Sequence, residues 1–428
     1  MPEYTGYFGR SLEFLKSNNV VVGNSVKILA DLTYSGIIMP RYEHSDDNHI
    51  ALKLNSGYNI GIEIDQIQNL EKLPIVEKNM EKKLKLEQDT SLPKILLLST
   101  GGTIASKIDY RTGAVTPILT AEELNSSVPE LAEVANMDTE VLFSEYSENI
   151  MPDHWLKISN KLIEFSDSDY SGIIIAHGTD TMHYTSSFLS FALAGFPKPI
   201  ALVGSQRSSD RASSDAALNL IGAAKFLVKC KTNGVYIIMH HDESDETVAC
   251  HFGTRVRKNH TSKRNAFQTI GDYPAYIILN DKIQRNTKRD FFTSKKFNPK
   301  ITLDTKVALV KYYPGYDPSL LDKIIEMGYR AIIFEGTGLG HIGRTMYKSV
   351  KKANEKGIFL GMTSQCIDGR IGMTVYESGR DLLDLGIVPL ENMIPEVALV
   401  KAMWSLGNFS SNDDIKKIML ENIASEIY

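Results

Sequence analysis

The 428 residues contain only three cysteines, Cys230, Cys250 and Cys366, scattered singly along the chain. That excludes a disulfide framework and any zinc site built on paired thiolates, and makes a reducing cytoplasm the expected location. No apolar run approaches the roughly 20 residues a bilayer-crossing helix needs, so no membrane role is expected. The opening stretch MPEYTGYFGRSLEF lacks the basic and apolar segments of a secretory leader, and none is expected. Charge of either sign is in short excess: 47 Lys and Arg against 52 Asp and Glu leave a net charge of −5. Such a surface does not advertise phosphate binding, and any nucleic acid is expected to be held mainly by a partner. Metal-ligand spacing is missing as well, so His177, His240 and His241 are expected to pack and hydrogen-bond rather than to ligate.

What is present is enough apolar residue, 43%, for more than one globular domain. Between residues 20 and 68, short runs alternate apolar and polar positions (Val26/Ile28, Ile50/Leu52/Leu54, Ile60/Ile62/Ile64) and break at Gly23-Asn24 and Asn55-Ser56-Gly57. This pattern predicts a small all-β, barrel-like module over residues 1–76. The charged stretch EKNMEKKLKLEQDT lies within the expected linker, 77–93. From residue 94 the texture becomes α/β. Continuous Ile/Val/Leu runs at 94–99, 171–176, 199–203 and 234–239 read as strands buried on both faces. Helical signals lie between them: a capping box at Thr120–Glu123, and Trp155, Ile158 and Leu162 at helical spacing after Pro152-Asp153. A polar, Lys-rich segment around 282–305 precedes a second set of runs at 307–312, 331–335 and 358–362, with Asp317-Pro318 as N-cap and first residue of a helix. The expected body is a mostly parallel α/β structure in two lobes, 94–290 and 306–428.

In such sheets ligands bind beyond the carboxyl ends of strands, and two threonine-bearing motifs fall there. In STGGTIA, Gly101 and Gly102 allow close backbone approach and offer N–H groups to a carboxylate or an oxyanion. The stretch matches neither GxxxxGK[ST] nor GxGxxG, which argues against a phosphate loop. In IIIAHGTDTMHYTSS, Thr179 and Asp180 end a strand and open a helix, where an N-cap is the simpler role. Two hydroxyls and a carboxylate on neighbouring loop ends also suit nucleophilic catalysis. A threonine hydroxyl needs a base, and Lys258 in GTRVRKNHTSKRNAF is the candidate.

TGGTIA at 100–105 and HGTDTM at 177–182 resemble the two signature segments of the bacterial-type L-asparaginase family over roughly residues 94–428. The resemblance implies an asparaginase-like two-lobed body with Thr103 as nucleophile, Thr179 and Asp180 as the Thr-Asp pair, and Lys258 as the catalytic lysine. It further implies Tyr110, through YRTGAV, as the mobile-loop tyrosine, Ser147, through SENIMPDHW, as a substrate-binding serine, and the amides near Gly102 as oxyanion donors. In that family a neighbouring subunit's loop reaches the site from the second lobe, which draws attention to GTGLGH and His341. About ninety residues precede the first strand, and a small β module carrying GYNIGIEI ahead of such a body resembles the D-type subunits of the archaeal glutamyl-tRNA(Gln) amidotransferases. That likeness implies a tRNA-dependent ligase complex of protein biosynthesis, in which this chain is the glutaminase. On that likeness, glutamine is expected to be hydrolysed here and ammonia to pass to an E-type partner subunit that binds ATP, Mg and Glu-tRNA(Gln). No cofactor is expected on this chain, and a homodimer within a heterotetramer is the expected assembly. A freestanding L-asparaginase is the alternative.

Overall fold

The computed structural model describes residues 4–41, 45–54, 59–73, 91–102, 106–109, 114–117, 120, 124, 128–207, 214–230, 232–244, 246–286 and 296–428. The expected linker falls largely outside them, and so do the decisive positions of the Thr120 capping box, 121–123.

The first module is an antiparallel sheet of five strands, β1 (Ser25–Leu29), β2 (Thr33–Ile38), β3 (His49–Leu54), β4 (Asn59–Glu63) and β5 (Asn69–Lys72), in the order β4-β3-β2-β1-β5. Period-2 burial places Val26, Ile28, Ile50, Leu52 and Ile62 in one core, as the alternation predicts. The all-β expectation needs one addition. Helix α1 (Gly9–Ser17) precedes the strands and buries Ser11 and Leu15, one turn apart, in that same module. It ends where Asn19 takes a left-handed φ of 56°. GRSLEFLKS is too short for its periodicity to stand out in the sequence.

The body opens with β6 (Lys94–Ser99), then β7 (Ser106–Asp109) and β8 (Ala114–Pro117), β9 (Asn136–Val141), α2 (Pro152–Glu164), β10 (Gly172–Ala176), α3 (Met182–Ala192), β11 (Pro199–Val203), α4 (Ala216–Lys229) and β12 (Gly234–His240). It continues through β13 (Thr247–Phe252), β14 (Val256–Lys258), β15 (Phe267–Thr269), β16 (Tyr276–Leu279) and β17 (Lys282–Arg285). Eight of these strands form one sheet, ordered β17-β16-β13-β12-β11-β10-β6-β9. Strands β9, β6, β10, β11 and β12 are parallel, whereas β13, β16 and β17 run antiparallel to their neighbours. The segment beginning at residue 282 is therefore not all separator: Lys282–Arg285 pairs with β16 as the outermost strand.

Alternate residues of the parallel strands serve opposite faces. Leu96, Leu98, Ile173, Ile175, Ile200 and Leu202 fill one core, and Ile95, Leu97, Ile174, Ala201 and Val203 the other. Burial on both faces accounts for the unbroken apolar runs.

The second lobe is a four-stranded parallel sheet of β18 (Val307–Lys311), β19 (Ala331–Gly336), β20 (Phe359–Ser364) and β21 (Val388–Pro389), with α5 (Pro318–Glu326), α6 (Tyr347–Glu355), α7 (Glu377–Asp384), α8 (Pro395–Asn408) and α9 (Asn412–Leu420). Asp317 caps α5 by accepting a hydrogen bond from the Ser319 amide at 2.9 Å. The two lobes share a core: Val397, Val400 and Trp404 of α8 belong to the same cluster as Phe188 and Phe191 of α3. No helix among the described residues is long and apolar enough to cross a membrane.

Candidate active site

Numbered along the chain, the five parallel strands of the larger sheet run 2-1-3-4-5, with β6 as strand 1 and β10 as strand 3. The direction of winding reverses between β6 and β10. The crevice beyond the carboxyl ends of strands at such a reversal is where open α/β sheets bind ligands. Thr100-Gly101-Gly102 leaves β6 there, and His177-Gly178-Thr179-Asp180 leaves β10 beside it.

Thr100 locks the two strand ends together. Its amide and its hydroxyl both donate to the Ala176 carbonyl, at 3.1 and 2.8 Å. Gly101 and Gly102 then take φ values of 113° and 79°, a region that suits glycine. A Cβ on Gly101 would sit 2.3 Å from the Glu145 carbonyl oxygen, and one on Gly102 would sit 2.7 Å from the Gly178 nitrogen. The glycine pair is thus required by packing as well as by torsion.

Behind the second loop runs a buried chain of hydrogen bonds. Trp155 Nε1 donates to Thr185 Oγ1 at 3.0 Å, Thr185 donates to His177 Nε2 at 2.9 Å, and His177 Nδ1 donates to the Gly178 carbonyl at 2.6 Å. A carbonyl only accepts, which places a proton on Nδ1, the Nδ1–H tautomer when the ring is neutral. Burial holds the His177 pKa down at about 4, in keeping with that neutral form. His177 is therefore a structural hydrogen-bonding residue, as is His240, whose Nδ1 meets Asn219 Oδ1 at 2.8 Å.

Lys258 arrives from the short β14–β15 hairpin. Its Nζ donates to Thr179 Oγ1 and to Asp180 Oδ1, both at 2.7 Å. The lysine side chain is 10% exposed, whereas the Asp180 carboxylate is 65% exposed and open to a ligand. Ser147 closes the group from a 3₁₀ turn, Ser147–Asn149: its Oγ accepts from the Asp180 amide at 3.3 Å, and its carbonyl accepts from Thr181 Oγ1 at 2.6 Å. Thr179, Asp180, Lys258, Ser147 and Gly102 are thus brought to one place, although their sequence positions span more than 150 residues. Thr103 and Tyr110 lie outside the described residues. The flanking strands β7 and β8 pair antiparallel, from Ser106 against Pro117 to Asp109 against Ala114.

Several contributors were not legible in the sequence. Thr181 lies inside the second motif yet serves to hold Ser147. Arg257, beside Lys258, forms a 2.7 Å ion pair with Glu396 at the start of α8, both largely buried. Nearby His183 is driven to a pKa of about 4, chiefly by burial, with the Arg257 and Lys258 charges adding to the effect and Glu396 opposing it. No local pattern links Glu396 to Arg257, because the contact joins the two lobes. In QRSSDRASSD, residues 208–213 lie outside the described residues, but Asp215 is buried and accepts from the Gln206 and Arg207 amides at 3.0 and 2.9 Å. That end of the segment is built in rather than solvated. Among the described residues, no three His, Cys, Asp or Glu side chains are grouped so as to hold a metal ion.

Three protein-family models match in succession: the GatD N-terminal domain at residues 20–73, the asparaginase N-terminal domain at 94–291 and the glutaminase/asparaginase C-terminal domain at 306–419. The D-type subunit of the glutamyl-tRNA(Gln) amidotransferase of Pyrococcus furiosus is 44% identical over 433 residues, covering 97% of each chain. Its counterpart in Sulfolobus acidocaldarius is 45% identical over 434 residues, 100% of this chain and 96% of the relative. The chain belongs to the GatD family, the D-type subunits of glutamyl-tRNA(Gln) amidotransferases. Fold comparison agrees for the body. The solved thermostable L-asparaginase from Thermococcus kodakarensis superimposes with a TM-score of 0.70 at 33% identity, over 78% of this chain and 99% of its own. The match to the GatD N-terminal domain lies ahead of both asparaginase matches.

Proposed function

We propose that this chain is the glutaminase of a tRNA-dependent amidotransferase, an amidohydrolase that releases ammonia from glutamine for converting Glu-tRNA(Gln) to Gln-tRNA(Gln). The observation that carries the chemistry is Lys258 Nζ held 2.7 Å from both Thr179 Oγ1 and Asp180 Oδ1, at the switch point of an asparaginase-type sheet. A first module that matches the GatD N-terminal domain favours the amidotransferase over a freestanding asparaginase.

In the mechanism we infer, the Thr103 hydroxyl attacks the side-chain carboxamide carbon of glutamine. Its proton is relayed through Thr179 to Lys258 and from there to the departing nitrogen, which leaves as ammonia. Amides near Gly102 and Thr179 stabilise the tetrahedral oxyanion, each donor being worth about 2.7–4 kcal/mol. Asp180 takes the substrate's α-ammonium group, Ser147 its α-carboxylate, and Tyr110 closes over the site. Water then cleaves the acyl-threonine ester, giving glutamate and restoring the hydroxyl. The partner, the E-type subunit of the amidotransferase, holds the charged tRNA, ATP and Mg in the cytoplasm, with this chain dimeric within a heterotetramer.

The test is transfer of label. With glutamine carrying ¹⁵N in its amide, the complex of this chain, its partner and Glu-tRNA(Gln) is expected to place ¹⁵N in Gln-tRNA(Gln). Thr103→Ala is expected to abolish transfer from glutamine while leaving synthesis from added ammonia intact. Unlabelled product would refute the proposal.

A further inference from the structure

Lys258 sits at the end of a three-residue strand whose whole ladder is Val256–Thr269, Arg257–Gln268 and Lys258–Phe267. So short a hairpin does not fix an ammonium group against two acceptors by itself. Besides the Arg257–Glu396 ion pair and the burial of Val256 and Phe267 in the shared core, its base is held by a distant segment, residues 421–428. The Thr254 hydroxyl donates to the Ala424 carbonyl at 2.6 Å. Arg255, almost fully buried, spends its guanidinium on three carbonyls from three parts of the chain: Asn392 at 2.7 Å, Glu426 at 3.2 Å and Ile270 at 2.8 Å. Its face lies 4.6 Å from the centroid of the Tyr428 ring, and the Tyr428 hydroxyl donates to the Gly271 carbonyl just past β15.

The segment is itself pinned. The Glu426 carboxylate accepts from the Ile423 and Ala424 amides at 3.0 and 2.7 Å and pairs with Lys401 of α8 at 2.5 Å, with both charged side chains fully buried. Breaking a buried pair leaves an uncompensated charge, so the segment's path is set by α8. The force path runs from α8 through Glu426 and Tyr428 to Arg255, and along three residues of β14 to Lys258.

We infer that residues 421–428 form a strap that positions Lys258, with Arg255 and Tyr428 as positioning residues for amide hydrolysis. The inference rests on the assignment of Lys258 to the proton relay. A displacement of about 1 Å at a reacting group costs on the order of 10²-fold in rate, which sets the scale of the effect.

Tyr428 is partly exposed, so it can be replaced without opening the core. In the full complex with partner and Glu-tRNA(Gln), Tyr428→Ala is expected to lower kcat for glutamine about tenfold with KM within about twofold, whereas Tyr428→Phe, which keeps the ring, stays within about threefold of the parent. Leu321→Ala, which destabilises a separate core cluster, is the control and is expected to lower Tm with kcat unchanged. An activity-independent measurement accompanies these: acetylation of Lys258 by an N-hydroxysuccinimide ester, followed by mass spectrometry, is expected to accelerate at least about fivefold in Tyr428→Ala as Nζ leaves its two acceptors. Parental kcat together with parental labelling of Lys258 would overturn the strap. So would a kcat loss reproduced by Leu321→Ala at equal Tm. Failure of the unmodified complex to hydrolyse glutamine would instead refute the functional assignment, and the labelling result would still decide the strap.

Discussion

Gly102 and Gly178 meet across the switch point so closely that a Cβ on Gly102 would lie 2.7 Å from the Gly178 nitrogen. The two loops are therefore set by backbone against backbone, with no side chain between them to yield. Gly102→Ala has no relaxed solution, because the φ of 79° also disfavours any side chain. We expect it to cost about 1–3 kcal/mol of stability and at least about 100-fold in turnover, measured by thermal melting and by glutamate release well below Tm. Parental turnover in this variant would show that the loops have other freedom.

Lys258→Met retains the apolar stem and removes the ammonium. The Asp180 carboxylate left behind is 65% exposed and stays hydrated, so little stability is lost. Turnover is expected to fall by about 10²–10⁴-fold, and Thr179→Ala to act similarly. On the proposed relay, in which the two act as one unit, the double variant is expected to be no worse than the poorer single one. Additive losses would separate Thr179 from Lys258.

Three of the buried histidines contribute to the acid side of the stability profile. Burial lowers His177 and His183 to about 4 and His251 to about 3, against an ordinary value of 6.5. Between those values and 6.5 the unfolded chain binds more protons than the folded one, so stability falls as pH falls. Each histidine contributes a slope of about 1.4 kcal/mol per pH unit within its window. Urea melts from pH 7 to pH 4.5 are expected to show a declining midpoint, and His251→Asn to flatten it. A midpoint independent of pH would contradict the neutral, buried assignment.

Much of this arrangement was readable in advance where local chemistry dictates it. The run Lys94–Ser99 is a strand because Ile95, Leu96, Leu97 and Leu98 serve two cores at once, and Asp317-Pro318 caps a helix because a short carboxylate and a fixed φ suit that position. The grouping of Thr179, Asp180 and Lys258 followed from motif resemblance, and the sheet's winding gives it a physical reason. Lys282–Arg285 was unreadable as a strand because an outermost strand keeps its polar side chains in water. The Arg257–Glu396 pair and the Arg255–Glu426 contact depend on how two lobes pack, and nothing near residue 255 encodes that. Thr103 and Tyr110 rest on the motif resemblance, since they lie outside the described residues.

The central claim, that this site serves an acceptor rather than running freely, is tested most directly by one steady-state rate. Glutamate formation from glutamine is measured for the isolated chain, for the chain with its amidotransferase partner, and for both with Glu-tRNA(Gln). Slow hydrolysis by the isolated chain is predicted, with marked acceleration only when partner and charged tRNA are present together, as expected of an active site whose completion is gated by its acceptor. Fast hydrolysis by the isolated chain, unchanged by the partner and with asparagine preferred, would contradict it.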